Sequence, residues 1–143
     1  MHNWFQCKVK YERNAEDGSI TKVNEAYLID ALSFTEAEER INEEMKPYIS
    51  GEFLVADIKR ARISELFENE SGDRWYRSKI YFISLDEEKG VEKRIAATMF
   101  AQASTLKEAV EVIENGMKGT LADYEIASVT ETNVMDVFKY KAE

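Results

Sequence analysis

The stretch WFQCKVKY (residues 4–11) has a counterpart 71 positions later, WYRSKIYF (residues 75–82). Both begin with an aromatic pair, and both place lysine fifth, an aliphatic residue sixth and an aromatic residue last. Apolar and polar residues alternate along the first stretch, which is typical of a strand with one buried face. We therefore expect the same strand twice, with one face of the first copy formed by Phe5, Cys7, Val9 and Tyr11.

The correspondence continues through the rest of the chain. A shift of 72 aligns ALSFTEAEERINEEM (residues 31–45) with ASTLKEAVEVIENGM (residues 103–117), and a shift of 71 aligns Phe53 with Tyr124 and Phe67 with Phe138. Self-similarity at a fixed spacing indicates a repeated structural unit. We predict a single domain, residues 1–143, made of two repeats at about 1–70 and 71–143.

Each repeat predicts the order strand, strand, helix and long strand. Turns at Asp17-Gly18 and Lys89-Gly90 separate the first two strands, and a hydroxyl residue three positions before a glutamate caps each helix. Alternation slips within the closing segments 53–67 and 124–138, so we expect a bulge in each. The predicted class is α+β, with one largely antiparallel, six-stranded sheet and both helices on one face.

Composition restricts the class of protein. The chain has 143 residues, 44% of them apolar, one cysteine and a formal net charge of −9. These values favour a cytoplasmic domain that needs neither disulfide nor metal, and no apolar run predicts a membrane span. A negative mean charge disfavours a polyanionic partner, although the distribution of charge also matters.

Charge is segregated along the sequence. The first predicted helix has five glutamates between Thr35 and Met45 against Arg40 alone, whereas the first strand of each repeat has two cations and no acid. The face of the first strands opposite the predicted core therefore carries tryptophan together with lysine or arginine. Another basic cluster follows in the long strand of the first repeat. These residues are Trp4, Lys8, Lys10, Trp75, Arg77, Lys79 and Tyr81, extended by Lys59, Arg60 and Arg62.

Aromatic rings and cations on an open sheet suit single-stranded nucleic acid. Each stacked base contributes about 1–3 kcal/mol, and cations follow the phosphates without reading sequence. Our first hypothesis is a non-enzymatic, sequence-independent single-stranded DNA-binding protein that forms a homo-oligomer, with those ten residues as its nucleic-acid-binding surface.

The same residues can instead have purely structural roles that involve no nucleic acid. A tryptophan at the start of a strand is often packed under a loop or in an interface, and lysines on an edge strand prevent aggregation. The second hypothesis is therefore a protein-interaction or regulatory module. It would dock partners through the acidic helix or a sheet edge, without binding nucleic acid.

Few residues suggest enzyme chemistry, and we expect no catalytic residues, no metal and no cofactor. The single histidine, His2, lies at the terminus, and Cys7 falls on the predicted core face without a histidine partner. The glycines form no phosphate-binding loop. Asp57 and Asp123, each near the start of a long strand, are the acids with the best positions for chemistry, although turn or bulge roles are more usual.

Several motifs resemble those of a domain family of unknown function from Bacteroidetes bacteria and their tailed phages. They are WFQCKVKY (4–11), ALSFTEAE (31–38), SGEF (50–53), DIKRA (57–61) and MKGTLADYEIASV (117–129). The likeness covers essentially the whole chain and brings no known catalytic residues. Its phage association implies a replication-module protein, such as a single-strand-binding protein. The last residues, VFKYKAE (137–143), differ from the acidic tip of bacterial single-strand-binding proteins.

Overall fold

The structure, a computed structural model, describes residues 3–139, which form eight strands and two helices. The chain divides into two compact units. Unit 1 consists of the residues up to Arg62 and those from Asn133 onward, and unit 2 is Ile63–Thr132. In chain order the elements are β1 Trp4–Asn14, β2 Ile20–Asp30, α1 Phe34–Met45, β3 Phe53–Ala61, β4 Glu65–Phe67, β5 Arg74–Asp86, β6 Val91–Ala103, α2 Leu106–Gly116, β7 Asp123–Glu131 and β8 Val134–Phe138.

Unit 1 is a four-stranded sheet with α1 on one face. The strand order is β3-β1-β2-β8, antiparallel except for the parallel pair β2 and β8. The predicted core face of β1 is confirmed, because Phe5, Cys7 and Val9 are fully buried in one cluster with Ile41 and Met45 of α1. A bulge in the β1–β3 pairing lies at Lys8/Val9, as the slipped alternation of the closing segment predicted.

Unit 2 repeats this arrangement in the order β4-β6-β5-β7, with β4 parallel to β6. Its core contains Ile80, Met99 and Ala101 of the sheet and Ile113 of α2. The β5–β7 pairing has its bulge at Lys79/Ile80, which corresponds to the bulge of unit 1.

The predicted α+β class is confirmed, but the single six-stranded sheet is wrong. Each closing segment is two strands rather than one, and its last part joins the sheet of the other repeat. The strand β4 comes from the first repeat and pairs with β6, whereas β8 comes from the second and pairs with β2. The registers match: Phe67 lies opposite Ala101, and Phe138 lies opposite Ile29. The boundary between units therefore falls at Arg62/Ile63, before the loop at residues 68–73.

The helix caps form as predicted, with one difference. The amide of Glu36 donates to Ser33 Oγ at 3.1 Å, and the amide of Glu108 donates to Thr105 Oγ1 at 3.1 Å. Each glutamate then accepts from the residue before the cap, Leu32 or Ser104, instead of from the cap residue itself. Both reciprocal bonds satisfy amides at the helix start, which stabilises the helix.

Candidate functional site

Both tryptophans are buried, which corrects the prediction that they face water. Trp4 is 2% exposed and Trp75 is 4% exposed. Each lies on the sheet face opposite its helix, where Leu28 of β2 and Phe100 of β6 are also buried. Period-two alternation identified that face correctly, but it could not show that the face is withdrawn from water at this end of the strand. Neither indole can serve as a stacking platform.

The predicted cations of unit 1 are exposed but do not share one face. Lys8, Lys10 and Lys59 lie on the face opposite α1, where Asp57 is the register partner of Lys8 on the neighbouring strand. Arg60 points to the helix side, with its guanidinium carbon 5.6 Å from the centroid of the Phe5 ring. Lys59, Arg60 and Arg62 were predicted to extend one surface, but Lys59 and Arg60 lie on opposite faces because neighbouring strand residues alternate. The exposed Arg62 follows the end of β3.

In unit 2 the exposed Arg77 and Lys79 share a face with half-buried Tyr81. Lys79 Nζ lies 5.1 Å from the Tyr81 ring centroid, and the guanidinium carbon of Arg94 lies 6.0 Å from it. Arg94 also forms a 2.9 Å ion pair with Glu125. The Tyr81 ring thus already contacts two cations, one of them neutralised by an acid.

Aromatic side chains do gather on the helix side of unit 1, in a groove that the sequence did not predict. We call it the tyrosine groove; its volume is about 250 Å³. Strands β1, β2 and β8 and the segment after α1 all contribute to it. Its lining residues are Tyr11, Glu25, Tyr27, Tyr48, Ile49, Met135, Asp136 and Phe138.

The base of the tyrosine groove is a stacked pair of rings, whereas one wall is open. Tyr27 is buried and stacks on Phe138, with ring centroids 5.9 Å apart and ring planes 22° apart. Tyr48, by contrast, is 73% exposed. The base therefore offers a fixed aromatic surface, and Tyr48 is accessible to a ligand from outside.

Two carboxylates make the tyrosine groove electronegative. Tyr27 Oη lies 3.4 Å from Glu25 Oε1, a long hydrogen bond in which the hydroxyl donates. Burial raises the pKa of Tyr27, and the negative charges of Glu25 and Asp136 raise it further. The pKa of Tyr11 is also raised, chiefly by its hydrogen bond to Glu25. Both phenols therefore stay protonated and neutral in an acidic environment.

One cation already approaches the rim of this groove. Arg13 Nη2 donates to Tyr11 Oη at 2.9 Å, and its guanidinium carbon lies 5.8 Å from the Tyr11 ring centroid. Tyr11 therefore accepts a hydrogen bond from a guanidinium group at its hydroxyl and has the same group near its ring. This contact is local, since Arg13 lies two residues along β1 from Tyr11.

Sequence reasoning missed the tyrosine groove because its walls meet only through long-range pairing. Tyr27 lies opposite Asp136 across the parallel β2–β8 pair, and no local pattern brings them together. A signal was nevertheless present in the repeat alignment. Glu25 and Tyr27 correspond to Ala97 and Met99, so polar groups appear on a core face in one repeat alone.

The residues considered for chemistry are dispersed. Cys7 is buried in the unit 1 core, and burial together with the charge of Asp57 raises the pKa of its thiol to about 12. Such a thiol is a poor nucleophile. Asp57 and Asp123 are exposed on different strands, and His2 lies outside the described residues. Within residues 3–139, no three metal-binding side chains come together and neither helix has the length and hydropathy to cross a membrane.

Comparison with known proteins places the chain in a family without assigning it an activity. No curated protein is significantly similar to it. Residues 3–140, nearly the whole chain, match the sequence model of one family. The chain belongs to the family described as domain of unknown function (DUF4494).

Proposed function

We propose that this protein is a non-enzymatic protein-binding module that engages its partner through the tyrosine groove. The observation that carries the proposal is the meeting of three tyrosines, a methionine and two carboxylates in one open concavity of unit 1. Tyrosine and methionine are enriched where proteins bind one another, and tyrosine is frequent among the residues that dominate binding energy.

The charge around this groove favours a protein partner over a nucleic acid. Both charged lining residues, Glu25 and Asp136, are acidic and repel phosphate. The helix α1 adds to this field, because it has five glutamates and a single cation, Arg40. A basic segment of a protein would be attracted to this side of unit 1.

Single-stranded DNA binding is a second candidate, favoured by the exposed lysines of unit 1. Lys8, Lys10 and Lys59 lie together on the sheet face opposite the tyrosine groove and could follow a phosphate backbone. Because Trp4 and Trp75 are buried, the stacking on which that hypothesis relied is lost. An oligo-dT titration at two salt concentrations tests this candidate, which requires retention that weakens as salt rises.

The protein-binding proposal is tested by affinity capture with matched variants. The wild type, the groove double variant Tyr48→Ala/Asp136→Asn and the control Glu65→Gln would be used to capture proteins from a lysate of the source organism. Both groove positions are exposed, so the core is unchanged, and Glu65 occupies in unit 2 the place of Asp136.

A captured protein would then be purified and its affinity measured by calorimetry. We expect the groove double variant to weaken binding at least tenfold and Glu65→Gln to leave it unchanged. A partner that binds the double variant as tightly as the wild type contradicts the proposal. Salt-sensitive retention of oligo-dT without any protein partner would leave the second candidate in its place.

A further inference from the structure

We propose that the tyrosine groove accepts one arginine side chain of the partner protein. This inference rests on the proposed protein-binding function and adds the chemistry of the residue that is recognised. It depends on four features of the groove: its carboxylates, its aromatic rings, its size and the behaviour of a resident guanidinium group.

The carboxylates provide charge complementarity. Glu25 projects from β2 and Asp136 from β8, and the Tyr27 ring lies beside both. A guanidinium group presents five N–H donors in a planar fork and can bond two carboxylates at once. The groove also lies just beyond the C-terminal end of α1, where the helix carries partial negative charge that favours a cation.

The aromatic rings provide a stacking surface for the same group. A cation within about 6 Å of a tyrosine ring is attracted by its negative face, and arginine is used more often than lysine. The Tyr27–Phe138 stack forms a fixed base, and Tyr48 can cover a planar group from the open side. Such a sandwich matches the flat guanidinium better than a compact, strongly hydrated ammonium.

The size of the groove suits a single side chain. Its volume of about 250 Å³ is below the roughly 300–1,000 Å³ of sites that enclose a whole small molecule. An arginine side chain needs only part of this space, and its aliphatic stem would contact Ile49 and Met135, two of the apolar lining residues.

Arg13 provides an internal precedent. Its guanidinium group bonds the Tyr11 hydroxyl at 2.9 Å and lies near the same ring. The groove edge therefore already accommodates this chemistry near the end of β1. A second guanidinium placed deeper, between Glu25 and Asp136, would gain the carboxylate bonds that strengthen such contacts.

The test is a titration of the ¹⁵N-labelled full chain, followed by amide chemical shifts. The probes are the blocked tripeptide Gly-Arg-Gly and its analogues with citrulline or lysine in the centre. Citrulline keeps the planar shape but has no charge. We expect saturable shifts confined to groove residues for the arginine peptide, and at least tenfold weaker binding of the other two.

Variants then test whether the two carboxylates contribute to arginine binding. We expect Glu25→Gln and Asp136→Asn each to weaken arginine binding at least fivefold, and Glu65→Gln to have no effect. Asp136 is exposed, so Asp136→Asn provides a result even if Glu25→Gln disturbs the half-buried position 25. Citrulline or lysine binding as tightly as arginine, or shifts located elsewhere in the chain, would overturn the inference.

The outcomes separate this inference from the proposed function. If groove variants abolish capture of a protein but no arginine peptide binds, protein binding stands and the arginine assignment fails. If the arginine peptide binds in the groove but the captured protein binds the groove variants as tightly as the wild type, the proposed function fails instead.

Discussion

The two units use one scaffold to build two different helix-side surfaces. At equivalent places in the pairing, the Cys7, Tyr11 and Tyr27 of unit 1 are replaced in unit 2 by Ser78, Phe82 and Met99. Glu25 is replaced by Ala97, so the carboxylate between the tyrosines has no counterpart. The strand order, registers and caps are the same in both units, which means that these substitutions change the lining of the groove without changing the fold.

The largest expected effect concerns the exchanged strands. Phe67 packs in the core of unit 2 and Phe138 packs against the core of unit 1, although each is encoded in the other repeat. Since both rings are half-buried, Phe67→Ala and Phe138→Ala should each cost about 2–3 kcal/mol, below the about 3–5 kcal/mol of a fully buried phenylalanine. Native-state hydrogen exchange would locate the loss, with Phe67→Ala lowering protection in β5 and β6.

The companion variant is the control for this prediction. Phe138→Ala should lower protection in β1 and β2 and leave β5 and β6 nearer their original values. A loss from Phe67→Ala that is confined to β1–β3 would contradict the exchange of strands described above.

Alkaline pH should affect unit 1 more than unit 2. Burial and the charge of Asp57 raise the pKa of Cys7 from 9.0 to about 12, and the pKa of Tyr27 is raised from 10.0 by burial and Glu25. The folded state therefore holds these protons more tightly than the unfolded chain. The stability that these groups contribute is fully present below pH 9. It falls by about 1.4 kcal/mol per pH unit above pH 9 for Cys7 and above pH 10 for Tyr27.

Methionine methyl signals can report the two units separately. In urea titrations at pH 8 and pH 10.5, we expect the midpoint for Met45 of unit 1 to fall further than that for Met117 of unit 2. Equal falls for both methyl groups in the wild type and in Cys7→Ser would contradict this prediction.

The variant Cys7→Ser converts one position of unit 1 to its unit 2 counterpart. Ser78 Oγ donates to the carbonyl oxygen of Ser128 at 3.0 Å, and Asp57 occupies the place of Ser128 in unit 1. The new hydroxyl therefore has an acceptor within the same strand pairing. We expect the variant to lose less stability than the wild type between pH 8 and pH 10.5, because its side chain has no ionisable thiol.

A smaller difference in stability between the units is expected from a position near the C-terminal end of each helix. A Cβ atom on Gly116 of α2 would lie 2.4 Å from the Phe67 ring, whereas Glu44 occupies the equivalent position in α1. The extra methyl group would overpack this contact at a cost of about 1–3 kcal/mol, whereas alanine favours the helix over glycine by about 1 kcal/mol. We therefore expect Gly116→Ala to lower the free energy of unfolding by about 1 kcal/mol. Thermal denaturation of Gly116→Ala beside Glu44→Ala measures this; a stabilised Gly116→Ala would show that the Phe67 ring moves freely.

Local patterns were enough to predict both helices and the first two strands of each repeat, but not the division of the closing segments or the sheets. Alternation identified the core face of β1, and the hydroxyl–glutamate spacing located both helix starts. The exchange of β4 and β8 was missed because a strand of three residues, Glu65–Phe67, has no periodicity that separates it from β3. Its partner β6 is chosen by tertiary pairing rather than by local sequence.

The candidate site was mispredicted for a related reason. The pattern that places Trp4 and Lys8 on one face is correct, but along that face Trp4 is only 2% exposed whereas Lys8 and Lys10 are exposed. Alternation shows which face of the sheet a side chain lies on but not how exposed that face is. The tyrosine groove required knowledge that β8 lies beside β2, which joins residues more than one hundred positions apart.

The most direct test of the arginine site is the proton spectrum of the bound peptide. Stacking between aromatic rings should shift the δ-methylene protons of the arginine upfield when the wild type is added. The shift should be retained with Glu65→Gln and should largely disappear with Tyr48→Ala, which removes the exposed ring. An upfield shift of equal size with Tyr48→Ala, or none with the wild type, would contradict the account.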